Sequence, residues 1–319
     1  MVCKPEILIL GSRYDLTCDL VVSALRRKGA PYLRLNSEDL PATRLDLEPT
    51  TSTLSVGLGE AEFQVSNETV RSVLFRRPTF LRSYADSACD PRGALLRTHW
   101  AAFMRNLVVI ESALWVNHPG NTYLAEHKAL QLRRAVSLGF AVPRTRVANT
   151  VAAVPAVSDG VGPIVVKGLD AVLIREGDRE TFGFTQFVEP RSLVEEDLQA
   201  APVILQEALQ RKTDFRVTVV GDLVFAVEIT RSGERIAGDW RCVSREADYR
   251  PRGLPRDVEQ RCIELVKLLG LHVGAIDLAL QDGTYYFLEI NPTGEWAWLV
   301  NATGLAIDRA VADALVAGP

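Results

Sequence analysis

Residues 273–298 read VGAIDLALQDGTYYFLEINPTGEWAW, and the rest of the chain is organised around them. Two apolar runs, residues 274–280 and 285–290, flank Asp282-Gly283, a hairpin-turn dipeptide. Asp277, Glu289 and Asn291 punctuate the runs. A two-residue turn pairs Asp277 with Leu288 and sends Glu289 to the opposite face. A three-residue loop with Gly283 left-handed pairs Asp277 with Glu289 instead. The second register is the expectation adopted, because it stacks Asp277, Glu289 and Asn291 on one face of the hairpin. Two carboxylates and an amide oxygen, without His or Cys, make a hard-oxygen set suited to Mg²⁺ and to its phosphate co-ligands. These acids sit among Ala, Ile, Leu and Phe, where an unpaired charge is costly unless a cation or hydrogen bonds meet it.

The 319 residues are 47% hydrophobic and 24% charged, which places the chain among soluble globular proteins with room for two or three lobes. A formal net charge of −4 argues against sequence-blind nucleic-acid binding. Cys3, Cys18, Cys89, Cys242 and Cys262 are odd in number, scattered and without a CxxC pair, the pattern of reduced thiols in a cytoplasmic protein without zinc. Neither a signal-peptide apolar region nor a membrane-length apolar run is present, so no membrane partner is expected.

Taken in order, EILILG at residues 6–11 reads as a buried strand, residues 15–28 as an amphipathic helix and PYLRLN as a second strand. This βαβ opening predicts a parallel sheet. Gly11-Ser12-Arg13 lacks a dinucleotide fingerprint. Residues 52–65 alternate as a hairpin around residues 57–60, and residues 73–80, VLFRRPTF, form a strand carrying Arg76 and Arg77. Adjacent strand residues face opposite ways, so only one of these arginines enters any given cleft. Residues 92–114 predict one amphipathic helix, with Leu95, Leu96, Trp100, Phe103, Leu107 and Ile110 on its apolar face. Residues 122–138 predict another, with Lys128 in its first half.

PIVVK is a strand that delivers Lys167 at its end. The glycine-punctuated, charged residues 168–183 read as a mobile hairpin or lid. PVILQE is a further strand, and residues 214–229 form a hairpin about Gly221-Asp222 with Asp214, Arg216 and Thr218 sharing a face. AGDWR, a polar arginine-rich loop and a helix at residues 257–269 lead into the opening hairpin, and residues 305–316 form the last helix.

The strand-end lysine, the lid, Gln206-Glu207, the D-x-R hairpin, Asp239-Trp240-Arg241 and the D…E-x-N hairpin occur in one order. In that order they resemble the ATP-grasp superfamily, within its RimK-like branch, over about residues 115–298. The resemblance implies an α/β chain with α+β lobes: an N-terminal parallel-sheet pre-ATP-grasp domain at residues 1–117, a central lid-bearing domain at 118–203 and a C-terminal antiparallel-sheet domain at 204–319. It implies ATP and two Mg²⁺ as cofactors, with Asp277, Glu289 and Asn291 as metal ligands and Glu289 bridging. Lys128 and Lys167 would hold the phosphates, while Gln206, Glu207 and Leu209 form the adenine-reading hinge and Asp214 meets the ribose. Arg216 and Arg241 match the catalytic positions that stabilise phosphates or an acyl phosphate.

Arg76-Arg77-Pro78, the run NHPGNTYLAEHKALQLRRAVSLGFAVPRT, Asp239-Trp240-Arg241 and Glu295-Trp296 narrow the resemblance to the peptide-macrocyclising enzymes of graspetide, microviridin-type, maturation. The implied reaction joins Asp or Glu side chains of a ribosomal precursor peptide to Ser/Thr hydroxyls or Lys amines through an acyl phosphate. The implied partner is a precursor with a leader and an acidic core, met by Arg76, Arg77, Asp239 and Glu295; arginines suit such carboxylates as planar, bidentate donors. A homodimer is one option, related enzymes often being dimers. Two other functions fit the same fold: a RimK-like ligase joining amino acids to a small molecule or protein tail, and a catalytically silent nucleotide-binding regulator. The last sits poorly with the presence of Lys128, Lys167, Asp277, Glu289 and Asn291 together.

Overall fold

The run ILILG folds as the strand Ile7–Gly11 with all five residues buried, as an apolar run without alternation must when both faces of its sheet are covered. Tyr32–Asn36 and Ser72–Phe75 flank it in parallel, and Leu114–Val116 adds a fourth parallel strand. This computed structural model describes residues 2–76, 91–160, 162–169, 173–176, 179–182 and 185–319, of which residues 91, 94, 173–176 and 179–182 are described by their backbone alone. On one face of the parallel sheet, Ile7 and Ile9 meet Val21 and Leu25 of the helix Leu16–Arg27 and Val311 and Leu315 of the last helix, Ile307–Ala317. On the other face, Leu8 and Leu10 meet Leu54, Val56, Met104 and Leu107. The chain's end thus returns to pack beside its beginning. Asp15 caps the first helix, accepting from Thr17 N at 2.8 Å and Cys18 N at 3.3 Å. A smaller sheet, formed by Arg44–Glu48, Thr53–Leu58 and Ala61–Val65 with Val2–Cys3 at its edge, covers the second face.

Two helical expectations are corrected. The helix predicted to residue 114 ends at Asn106, passes through a 3₁₀ turn at Leu107–Val109 and gives way to Leu114–Val116. Leu107 and Ile110 still enter the core, so apolar spacing continued past the helix end, while Leu95 and Leu96 are exposed. The helix predicted at residues 122–138 is two, Pro119–Ala125 and Lys128–Ser137, and Lys128 opens the second one. His118 caps the first helix, its Nδ1 accepting from Gly120 N at 3.2 Å. The interruption has a physical cause in Gln131, whose buried side chain donates to Ala125 O at 2.6 Å and thereby satisfies a carbonyl of the broken turn.

Two antiparallel sheets build the rest. In the first, Ile164–Lys167 lies between Gln186–Val188 and Val203–Glu207, with Thr145–Ala148 at the far edge. Leu173–Glu176 and Arg179–Phe182 pair with each other as the hairpin read in the lid segment. The second sheet has the order Asp248–Pro251, Leu223–Thr230, Thr213–Val220, Val273–Gln281 and Thr284–Asn291. Its back face packs Phe215, Val217, Ile276, Leu278 and Phe287 against Val258, Cys262 and Leu265 of the helix Arg256–Leu268. A short helix, Ala297–Thr303, follows the hairpin; periodicity gave no sign of it. Among the described residues no helix is long and apolar enough to cross a membrane.

Candidate active site

The hairpin reaches the expected pairing by an unexpected route. Gln281 pairs with Thr284, and Asp282 and Gly283 both have positive φ, 49° and 80°, so the loop has two residues and not three. Two left-handed central residues define the type I′ turn favoured by Asp-Gly. Asp277 nevertheless pairs with Glu289, because the register shifts between Asp277 and Leu278, whose own partner is Phe287. Leu288 is the extra residue of a β-bulge. The two flanking pairs, Leu278–Phe287 and Ile276–Ile290, both belong to the back-face core. One residue of Val273–Gln281 then opposes two of its neighbour, and Leu288 and Glu289 both face the cleft with Asp277.

Side chains from elsewhere hold this edge strand. Gln131 Nε2 donates to Ile290 O at 2.8 Å and Gln131 Oε1 accepts from Ile290 N at 3.1 Å, so one amide replaces a strand partner. Phe287 N donates to Ala141 O at 2.8 Å on the same edge. Lys128 lies three residues before Gln131 on the same helix face, and its Nζ reaches Glu289 Oε2 at 2.6 Å. Asn117, buried just after Leu114–Val116, fastens both ends of the hairpin. Its Nδ2 donates to Val273 O at 2.7 Å and Pro292 O at 2.8 Å, and its Oδ1 accepts from His272 N at 2.7 Å and Val273 N at 2.9 Å.

Each oxygen of the two acids has a cationic partner. Arg216 Nη1 donates to Asp277 Oδ1 at 2.9 Å; Arg241 Nη2 donates to Asp277 Oδ2 at 2.5 Å and to Glu289 Oε1 at 3.0 Å; Lys128 takes the remaining Glu289 oxygen. Burial pushes the Glu289 carboxyl up, but Lys128, Lys167 and Arg241 together outweigh burial and hold it well below the usual carboxylate range. Burial pulls the Lys167 ammonium down; Glu289 opposes that shift, and Lys128 and Arg241 deepen it. The Arg216 Nε is buried without a hydrogen-bond partner. Among the described residues no cluster of three or more His, Cys, Asp or Glu could hold a metal. The donor set is two cross-strand carboxylates plus Asn291, two residues beyond Glu289. It fits Mg²⁺, which takes one or two carboxylates and completes its shell with water and phosphate oxygens.

Two cavities meet here. The first lies between the two antiparallel sheets and is lined by apolar Val165, Phe187, Leu209 and Leu288, with Lys167, Gln206, Glu207, Asp214 and the two acids. Gln206 donates to Thr145 Oγ1 at 2.8 Å and Glu207 accepts from Arg144 Nε at 3.2 Å, so neither side chain projects freely into the cavity. Asp214 is buried against Lys212, a buried lysine that also lines the cavity. Burial raises the Asp214 carboxyl to about 6 despite that lysine. The second, larger cavity is bounded by Lys128, Arg216, Arg245, Asn291, Glu295 and an aromatic group of Trp240, Tyr249 and Trp298. Tyr249 and Trp298 ring centres are 4.8 Å apart and those of Trp240 and Trp298 5.6 Å. Trp240 and Arg241 wall both cavities.

The remaining sequence-named residues fall in supporting places. Asp239 caps the 3₁₀ turn Trp240–Val243, accepts from Arg241 N at 3.0 Å and lies 3.4 Å from Arg241 Nη1. Arg76 is buried, its Nε donating to Asp15 Oδ2 at 3.0 Å with Nη2 3.6 Å from Glu295 Oε1. Glu295 also accepts from Thr17 Oγ1 at 3.1 Å. Arg76 and Glu295 therefore join the first helix to the loop after the hairpin. Arg77 lies outside the described residues. Sequence reasoning missed Lys212, Gln131, Asn117 and Gly294. A Cβ at Gly294 would fall 2.6 Å from Ala275 Cβ and 2.7 Å from Arg216 Nη2. Lys212 was accessible by extending the two-residue period of Asp214 and Arg216 one step back.

No family model matches the chain, and no curated protein matches it in sequence. Solved structures do. The macrocyclase MdnC from Microcystis aeruginosa MRC, bound with precursor peptide MdnA, matches at a TM-score of 0.83 and 25% identity over 98% of this chain and 99% of that one. A Chryseobacterium gregarium RiPP-associated ATP-grasp ligase in complex with ADP and a leader and core peptide matches at 0.84 and 25% identity, over 98% of this chain and 97% of that one. The macrocyclase MdnB from Microcystis aeruginosa MRC matches at 0.75 and 27% identity, over 98% and 99%.

Proposed function

Since the chain is an ATP-grasp ligase resembling these peptide macrocyclases, we propose that it cross-links side chains of a ribosomally made precursor peptide at the cost of ATP. One observation carries the reading: Asp277 and Glu289, ringed by cations, lie where a mixed apolar and charged cavity meets a larger one. The smaller cavity suits ATP, with the adenine among Val165, Phe187, Leu209 and Leu288 beside the backbone of residues 206–209, and the ribose near Asp214 and Lys212. Lys167 and Lys128 suit the phosphates, and Asp277, Glu289 and Asn291 would hold two Mg²⁺. Those ions, when bound, would neutralise and orient the phosphate oxygens.

The larger cavity suits the core peptide. A peptide Asp or Glu carboxylate oxygen attacks the γ-phosphorus and ADP leaves, giving an acyl phosphate. A Ser/Thr hydroxyl or Lys amine of the same peptide then attacks the acyl carbon, the C–O bond to phosphate breaks, and one water is lost overall per link. The Arg216 and Arg241 guanidinium groups on the wall of this cavity are the donors available to the developing negative charge. Asp239 orients Arg241, while Arg76 and Glu295 set the loop that carries Asn291 and Gly294. Lys128, Arg216, Arg241 and Arg245 favour an acidic core. The setting proposed is the cytoplasm, where ATP is available, with a leader peptide as the docking element of the substrate.

Incubation with ATP, Mg²⁺ and short acidic peptides encoded beside the gene, read by mass spectrometry, tests the proposal. Loss of one water per link, abolished in Asp277→Asn, is expected. ATP turnover that modifies free amino acids and leaves every such peptide intact would overturn it.

A further inference from the structure

Arg241 stands where a bridging metal would. Its Nη2 is within 2.5 Å of an oxygen of Asp277 and 3.0 Å of an oxygen of Glu289. Mg²⁺ bound by both acids would need oxygens at about 2.0–2.1 Å, so it cannot share that point with a guanidinium. The ion pairs give the same answer. Arg216, Arg241 and Lys128 already meet all four oxygens of Asp277 and Glu289, so none of these oxygens is free for a metal. A divalent cation arriving alone must displace one of these cations within a partly desolvated cleft. Arriving with a triphosphate, it brings phosphate oxygens that give the displaced guanidinium a new anionic partner.

Arg241 is also placed to leave. It belongs to a one-turn 3₁₀ segment, its side chain is 34% exposed, and its guanidinium carbon lies 5.3 Å from the Trp240 ring centre on the wall between the cavities. A rotation about its own side-chain bonds carries the guanidinium from the acids to the larger cavity while Asp239 holds its backbone N. Arg216 and Lys128 differ: each touches one acid, and neither sits between the two.

We propose that Arg241 is a place-holding cation that occupies the metal seat until metal and nucleotide arrive together, excludes free divalent metal, and is then displaced toward the peptide cavity. The inference rests on the ATP and Mg²⁺ reading above. It makes the anion-binding arm of the peptide cavity available only after ATP is loaded, so a peptide carboxylate meets Arg241 only when a phosphoryl donor is present.

Mn²⁺ binding, followed by electron paramagnetic resonance on the full chain without peptide, tests this apart from any ligation. The wild type is expected to bind Mn²⁺ alone weakly and to take it up readily once a non-hydrolysable ATP analogue is added. Arg241→Ala should bind Mn²⁺ alone about tenfold more tightly, since it both empties the seat and removes one positive charge. Arg241→Gln, which keeps side-chain bulk and hydrogen bonding, should move in the same direction and serves if the alanine variant is poorly folded. Adding Asp277→Asn to either variant should abolish the gain, assigning it to this seat. The proposal is overturned if Mn²⁺ alone binds the wild type as tightly as the variants, or if the gain survives Asp277→Asn. Because the measurement involves no peptide, failure of the macrocyclase reading would leave it standing.

Discussion

Gln131 and Ile290 are bonded as though they were neighbouring strands: the Gln131 side chain both donates to the Ile290 carbonyl and accepts from the Ile290 amide. Its Nε2 also serves Ala125 O, so three backbone groups depend on one buried amide. Gln131→Leu keeps the volume and removes every partner. Leaving these groups unsatisfied should cost on the order of 3 kcal/mol in urea unfolding. Because Lys128 rides on the same helix and meets the residue beside Ile290, the Mg²⁺ concentration for half-maximal ATP turnover should rise in the same variant. An unchanged metal requirement alongside the stability loss would reduce Gln131 to a structural role.

The bulge at Leu288 makes an unusual prediction for a deletion. Removing one residue from mid-strand normally turns all later side chains over. Here Leu288 is the surplus residue, so its deletion leaves Asp277 opposite Glu289 and Ile276 opposite Ile290. The deleted chain should still unfold cooperatively and still bind Mn²⁺ with nucleotide. It loses an apolar wall of the nucleotide cavity, so KM for ATP should rise about tenfold, the effect of one aliphatic contact. Loss of metal binding would mean that the bulge itself shapes the seat.

At Gly294, in the loop after the hairpin, space rather than a positive φ opposes a side chain. Gly294→Ala puts a methyl against Ala275 Cβ and Arg216 Nη2. Overpacking of this kind costs about 1–3 kcal/mol. Displacing Arg216 by a fraction of an ångström should lower kcat by about 10- to 100-fold. Gly253→Ala, where an added Cβ meets nothing within 4 Å, is the control and should leave both stability and kcat unchanged.

The metal-free enzyme should carry a distinct acid limb. In the folded chain Glu289 is held below its ordinary range by its three cations despite burial, so it gains a proton less readily than in the unfolded chain. Its stabilising contribution is then fully present above the unfolded value of about 4.3 and is lost as pH falls below it. Urea midpoints measured in EDTA from pH 6 to pH 3 should fall steeply below about pH 4.3. Glu289→Gln should flatten that limb; an identical slope in the variant would contradict the assignment.

The pairing of Asp277 with Glu289 was legible in sequence because the two acids flank one turn, with Asn291 two residues further along the same strand. The detailed route was not legible: Asp-Gly spoke correctly for a two-residue turn, and the bulge depends on which of Phe287, Leu288 and Glu289 the opposing core accepts, a tertiary matter. The split after Ala125 was hidden for a similar reason, since Gln131 satisfies the broken turn from outside the local pattern. Arg76 illustrates a third limit. A strand-end arginine reads as available for a substrate carboxylate, but only the folded chain shows Asp15 and Glu295 already beside it.

Asn117 has a mechanical consequence. It is anchored beside Leu114–Val116 and grips both Val273 and Pro292, so the parallel sheet and the hairpin that carries Asp277 and Glu289 form a single chassis. Cys18, Val21, Trp296 and Leu299, packed in one core, bolt the same halves together from behind. On the proposed reading, the acids that would hold Mg²⁺ share this frame with the parallel sheet, so loosening either one loosens the other.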